Sequence, residues 1–478
     1  MANNKISYKG LPTYLNNSNN LDVRLYTNAT YLYLNSNIAN SFGSCTNMNL
    51  NFMNCNFNFK EVVNMNNAFC ECRNLYGIPQ CGENTTDMAN AYYNCYRMVG
   101  TPVCGNNTVY MQGAYGKCSN LVGNPVCSDV TENLADAYVN CRKLTGSPVC
   151  GSATTNMYGA YTYCYNLTGS PVCGNNVINM AGTYNQCRNL TGSPVCGDNV
   201  IDMNQTYYNC RKLTGNPVCG DNVLDMDSTY RDCTNLTGNP VCGNSVTNMT
   251  YTYSNCTKLT GSPVCGDNVV DLSSTYELCP NLTGNPVCGN NVTDMHSTYW
   301  GCWNLTGSPV CGNNVTNMYG TYINCYNLTG NPVCGNNVTD MSYTYQNCYN
   351  LTGSPVCGDN VTIMRSAYYN CRNLTGNPVC GDNVVDMRST YHNCRNLYGD
   401  MYCNYTGSTS SSAVNMYMCF SNRNNQNRLN IHVKNGYAYH NWLYNYGTLQ
   451  TTSKVDWTDM SGGFYNEAIN IYVYTDLT

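Results

Sequence analysis

From Leu75 to Leu397 the chain repeats in fourteen consecutive blocks of 23 residues with no insertion or deletion. One cysteine series runs Cys81, Cys104, Cys127, Cys150 and onward in steps of 23 to Cys403. A second runs from Cys72 through Cys95 and Cys118 to Cys394. A unit this short cannot bury its own apolar face and must stack on its neighbours, so the period predicts a repeat solenoid with its function on a regular surface.

One block fixes the reading. In Leu305 to Asn327 the positions that hardly change between blocks are Leu305, Gly307, Pro309, Val310, Cys311, Val315, Met318, Tyr322 and Cys325. Side chains recurring in this way are expected to stack inward on their copies, each buried Leu or Met contributing roughly 1.5–3 kcal/mol. Leu305–Cys311 reads as a short parallel strand, limited by Pro309, which brings no ladder donor. The Gly-Asn-Asn stretch turns the chain through Asx-type hydrogen bonds. Val315, Met318, Tyr322 and Cys325 then recur at spacings of three and four, which favours a helical or 3-10 turn on the return leg. One short strand and one short helical turn per 23-residue rung is a leucine-rich-repeat architecture; a β-helix is the alternative.

Composition narrows the class. Charged residues are 10% of the chain and the net charge is −5, which does not supply the clustered basic face of a nucleic-acid binder. No apolar run reaches 18 residues, so no membrane insertion is expected, and the start Met-Ala-Asn-Asn-Lys shows no signal peptide. The Asn-Leu-Thr and Asn-Val-Thr triplets match a glycosylation acceptor but read, without an export signal, as repeat chemistry. The 34 cysteines read as two columns of reduced thiols acting as small hydrophobes. Disulfides between rungs are the alternative reading, because neighbouring rungs at ~4.8 Å lie near the lower limit of disulfide spacing.

The string Asn314-Val-Thr-Asn-Met to Cys325-Tyr-Asn-Leu-Thr329 resembles the BspA-type leucine-rich repeats, especially bacterial surface-lipoprotein repeats with an Asn-Val-Thr-Asn-Met phrase. Tyr stands where those families carry Phe, although Phe42 and Phe69 keep it near the start. The resemblance spans roughly residues 38–420 and departs at Ser-Pro-Val-Cys or Asn-Pro-Val-Cys, where those families have two aliphatic residues. Strand register is therefore open by one residue, which would exchange Val310 for Pro309 and Cys311 on the inner face. Similar repeats occur in phage fibre-like proteins, and the resemblance implies binding at a cell or virion surface, not catalysis.

The ends differ from the middle. Residues 1–37 are irregular, with an alternation from Val23 to Leu34 suggesting two strands in an N-terminal cap or attachment segment. Residues 38–74 hold degenerate repeats, in which 27 residues separate Cys45 from Cys72 and Met48 echoes the block. The regular array occupies 75–419, followed by a C-terminal β cap over 420–478, with strands at Leu429–Val433 and Ile469–Val473 and a small core around Trp442 and Trp457.

A search for chemistry returns little. His296, His392, His432 and His440 lie in no catalytic motif, and His296 and His392 read as exposed polar filler. No phosphate-cradling Gly loop, nucleophile elbow or HExxH is present, so no enzyme is expected. Asp198 and Asp202 align with Asp221 and Asp225 one block later. Stacked carboxylates could hold calcium, but Asn replaces them in many rungs, so the expectation is no cofactor, with calcium the one candidate. Beside the second cysteine the blocks vary freely. There Trp303, Tyr326, Tyr349, Arg372 and Arg395 occupy one column in five successive rungs, with Trp300 and Tyr369 nearby. Stacked at ~4.8 Å per rung, they would form an aromatic-to-basic strip roughly 20 Å long, suited to sugar rings and to protein hot spots.

The expected function is a non-enzymatic virion fibre or extracellular adhesin that contacts a glycan or protein on a host-cell surface, alongside other fibre subunits or further copies of itself. A secreted bacterial surface adhesin is one alternative. A purely structural spacer, sheath or lattice subunit is the other.

Overall fold

The computed structural model describes residues 5–7, 31–33, 36–43, 57–403, 416, 418–420, 429–433, 448–451 and 469–473. The chain divides into two units, Met1–Val246 and Thr247–Thr478. Each contains stacked rungs of 23 residues.

The inward columns are as the repetition requires. In the second unit Leu305, Val315, Met318, Tyr322 and Cys325 are fully buried, as are their equivalents at Leu328, Val338, Met341, Tyr345 and Cys348. In the first unit Leu167, Val177, Met180, Tyr184 and Cys187 are buried in the same way. The tyrosines form a ladder of near-parallel rings. Centroids in the second unit are 5.4 Å apart for Tyr299–Tyr322 and 5.5 Å for Tyr322–Tyr345. In the first they are 5.6 Å apart for Tyr138–Tyr161 and 5.7 Å for Tyr161–Tyr184. Offset stacks at such distances add about 0.5–1.5 kcal/mol per pair to the area buried.

The backbone of a rung is not the expected strand and helix. Leu305–Cys311 forms no strand: it lies outside the strands of the second unit, and one backbone bond, Thr306 N–H to the Gly284 carbonyl at 3.1 Å, ties it to the rung before. Pro309 removes the central donor. On the register question, Pro309 is buried while Val310 and Cys311 are half-buried.

The return leg is a run of β-turns in place of a helical turn. Thr321, Ile323 and Cys325 donate their N–H groups back three residues, to Met318, Gly320 and Tyr322. The residues between them, Gly320, Tyr322 and Asn324, donate instead to Ser342, Thr344 and Gln346 of the next rung at 2.8–2.9 Å. Gly320 (φ 62) and Asn324 (φ 61) occupy the third position of two of these turns, where a type II turn needs a left-handed residue. A helix would send every N–H back along its own rung; here alternate donors join neighbouring rungs. The spacing of three and four thus records which turn residues point inward.

Two short parallel sheets are also described. β1 (Lys5–Ser7), β2 (Tyr31–Tyr33) and β3 (Phe57–Asn58) lie in that order in the first unit. There the step from Phe42 to Phe69 is longer than 23 residues, yet the rings stack at 4.9 Å. In the second unit β4 (Gly399–Cys403), β5 (Leu429–Val433), β6 (Thr448–Thr451) and β7 (Ile469–Val473) lie in the order β4-β5-β7-β6, all parallel. β5 and β7 coincide with the two strands expected from alternation. Of the expected pair around Val23 to Leu34, Tyr31–Tyr33 is described. Cys45, Met48, Trp442, Trp457 and His440 lie outside the described residues. Among the described residues no helix is long and apolar enough to cross a membrane.

Candidate functional site

The variable column is built by a single tight turn. Cys325 and Leu328 are both buried and are joined by a hydrogen bond from the Leu328 N–H to the Cys325 carbonyl at 3.2 Å. The two residues between them, Tyr326 and Asn327, are therefore pushed outward. Because the buried pair stacks in register, the outward pair does too.

Four of the expected residues meet. Trp303 is 48% exposed and stacks on Tyr326 at 6.3 Å, and Tyr326 stacks on Tyr349 at 5.1 Å with an interplanar angle of 3°. The Arg372 guanidinium lies over the Tyr349 ring at 4.9 Å. The ring faces are thus largely spent on one another. Tyr326 and Tyr349 are half-buried, and the row ends at Trp303, since the preceding position is Pro280. Arg395 follows in the same column, its Nε donating to Asn393 Oδ1 at 2.7 Å.

Trp300 and Tyr369 belong to the neighbouring column, with Ile323 and Gln346 between them. Trp300 is 37% exposed. Tyr369 stacks on His392 at 4.6 Å, and burial lowers the His392 pKa. His392 is therefore a half-buried ring partner, not exposed filler. His296 is also half-buried, tilted against Tyr319 at 5.2 Å. His432 in β5 contacts Asp400 Oδ1 at 2.8 Å and stacks on Tyr402.

The aspartates are turn residues. Asp202 Oδ1 accepts the Asn204 N–H at 2.9 Å and Asp225 Oδ1 accepts the Asp227 N–H at 2.8 Å. Burial raises the Asp202 pKa; the Asn204 N–H opposes this and the Asp225 charge adds to it. Asp198 and Asp221 sit on the exposed turn that precedes each of them. Among the described residues no three His, Cys, Asp or Glu side chains stand close enough to hold a metal ion.

The described cysteines are free thiols. The buried series donates its S–H groups to the carbonyl of the preceding rung's ladder aromatic, as Cys325 does to Tyr299 at 3.1 Å, Cys187 to Tyr161 at 3.1 Å and Cys95 to Phe69 at 3.0 Å. Burial pushes the thiols up, to about 12 for Cys164 and Cys279. High pKa and enclosure make these inert packing groups, not nucleophiles.

Two surface features escaped the sequence reading, both in the first unit. Ile178, Ile201 and Leu224, each more than 40% exposed, line an open groove of about 720 Å³ together with Asn176, Asn199 and Asn222. The column that holds Trp303 in the second unit holds Arg142, Tyr165, Arg188 and Arg211 here. Reading that column upstream of Pro280 would have found them.

Comparison with known proteins is sparse. A Kazal-type serine protease inhibitor domain model matches residues 274–300, a span slightly longer than one rung. The two cysteines in that span, Cys279 and Cys288, are free thiols. No curated protein matches the chain. Among solved structures, a leucine-rich repeat protein from Bacteroides ovatus is similar at 14% identity and a TM-score of 0.43, covering 75% of this chain and 82% of that one.

Proposed function

We propose that this protein is a non-enzymatic surface-binding repeat protein of leucine-rich-repeat type, a virion fibre or extracellular adhesin. Its row Trp303–Tyr326–Tyr349–Arg372 contacts a glycan or protein on a host-cell surface. The observation that carries this reading is the row itself: large, stiff side chains held in register on an exposed turn, ending in a guanidinium. Side chains already ordered by mutual stacking lose little freedom on binding, which is where hot-spot residues gain their affinity.

The test is the double variant Trp303→Ser/Tyr326→Ser, compared with the parent on a glycan array and on whole cells. Both substitutions lie on the outward turn and leave the buried columns intact, so the fold should be retained, with a small loss of melting temperature from the missing ring stacks, while binding is lost. Undiminished binding to every ligand the parent captures would remove the row from the function.

A further inference from the structure

In the first unit the outward column carries a second, chemically different surface. Tyr165 is sandwiched between two guanidinium groups, Arg188 at 4.9 Å and Arg142 at 5.8 Å from its ring centroid. The arginines are propped from below. Arg142 Nε donates to Asn140 Oδ1 at 2.9 Å, Arg188 Nε and Nη2 to Gln186 Oε1 at 3.2 and 2.9 Å, and Arg211 Nε to Asn209 Oδ1 at 2.6 Å. These props are neutral amides, so the positive charge is oriented without being neutralised. From Lys117 to Lys212 the two positions flanking the second cysteine and the one after them hold six cations and no acid. In a chain of net charge −5, that is a local reversal of sign.

We propose that Arg142, Arg188 and Arg211, with Lys143 and Lys212, form a binding strip for an acidic polysaccharide that runs across the rungs. The three arginines are exposed and span three rung steps, about 14 Å at ~4.8 Å each. Guanidinium N–H groups match carboxylates in pairs; holding each arginine by an amide, with the Tyr165 ring also against Arg142 and Arg188, reduces the ordering cost of binding. Exposed Thr145, Thr168, Thr191 and Thr214 lie three residues after Arg142, Tyr165, Arg188 and Arg211; the Thr168, Thr191 and Thr214 hydroxyls donate to glycine carbonyls of the preceding rung, which leaves their oxygens to accept from sugar hydroxyls. Nucleic acid fits less well, because Tyr165 has a guanidinium over each face and leaves none for a base to stack on.

The experiment uses the full chain, with polygalacturonate and alginate as probes and dextran, oligothymidylate and polyglutamate as controls. The parent should bind the two polyuronates and not dextran. Its affinity should fall as added salt shortens the screening length from ~10 to ~3 Å. The triple variant Arg142→Gln/Arg188→Gln/Arg211→Gln should lose at least about tenfold in affinity and most of its salt dependence, with an unchanged melting curve. Arg188→Lys should lose less than Arg188→Gln, the charge remaining without the fork. Failure of the parent to bind either polyuronate would overturn the proposal, as would undiminished binding by the triple variant. Equal binding of oligothymidylate or polyglutamate would also overturn it, reducing the strip to an unselective cation field.

Discussion

The Tyr322 hydroxyl serves both backbone groups of Val310, accepting its N–H at 3.0 Å and donating to its carbonyl at 2.8 Å. The same double bond recurs at Tyr345 with Val333 and, in the other unit, at Tyr161 with Val149. It follows from the proline. With Pro309 preceding and no strand formed, the valine has no ladder partner, and the phenol supplies one from twelve residues downstream. Phe69 fits the same logic from the opposite side. The residue twelve before it is Phe57, whose backbone lies in β3 and pairs with Leu32 of β2, so no hydroxyl is needed.

Replacing Tyr322 by Phe should therefore destabilise the second unit by about 1–3 kcal/mol, the cost of leaving a donor and an acceptor without their partner. Ring stacking and volume would be nearly unchanged. The urea midpoint measures this, and Phe69→Tyr should give no corresponding gain. An unshifted midpoint for Tyr322→Phe would mean that water replaces the phenol at no cost.

The thiol columns predict a simple mass result. Alkylation in denaturant without reductant should add one adduct for each of the 34 cysteines, because the described ones are free. Under native conditions the fully buried series, Cys325 and Cys348 among them, should be protected, since burial both raises the thiol pKa and excludes the reagent. A denatured mass short by pairs of adducts would reveal disulfides.

The same burial sets the response to alkali. Cys118, Cys164 and Cys279 are pushed from 9.0 to about 12, in each case mainly by desolvation. The fold thus holds protons that the unfolded chain releases above pH 9. Their contribution is intact below pH 9 and is lost as pH rises toward 12, at about 1.4 kcal/mol per pH unit for each such thiol. Buried tyrosines such as Tyr322 are raised in the same direction by the same cause and steepen the loss above pH 10. Denaturant midpoints should be flat from pH 7 to 9 and fall sharply beyond; a flat profile to pH 11 would contradict the assigned burial.

What was legible in the sequence was whatever repeats by burial. Leu305, Val315, Met318, Tyr322 and Cys325 are identifiable because a side chain stacked on its own copy tolerates few substitutions, and β5 and β7 because strict alternation has one reading. The backbone path was not legible. A spacing of three and four is shared by a helix and by linked turns, and the deciding signal is the left-handed residue at positions such as Gly320 and Asn324. Thr321 was missed as a core residue because its hydroxyl suggests surface. It is fully buried, with that hydroxyl donating to the Met318 and Met295 carbonyls. The Trp303 row was found from its rings, whereas the Arg142–Tyr165–Arg188 sandwich, with a single ring, drew no notice.

The aspartate turns give the last test, and it separates a capping role from calcium binding. Asp202 and Asp225 face each other across a parallel bridge, yet each spends one oxygen on its own turn. Asn179 performs the same capping one rung earlier, its Oδ1 accepting the Ala181 N–H at 2.8 Å, so the turn requires an oxygen and not a charge. Asp202→Asn should leave the melting temperature unchanged or slightly raised, by relieving repulsion from Asp225. Asp202→Ala should cost about 0.5–1.5 kcal/mol for the lost hydrogen bond. Calcium or a chelator should leave both the parent and Asp202→Asn unmoved. Were the carboxylates a calcium site, the metal would stabilise the parent by linkage, and Asp202→Asn would abolish that shift.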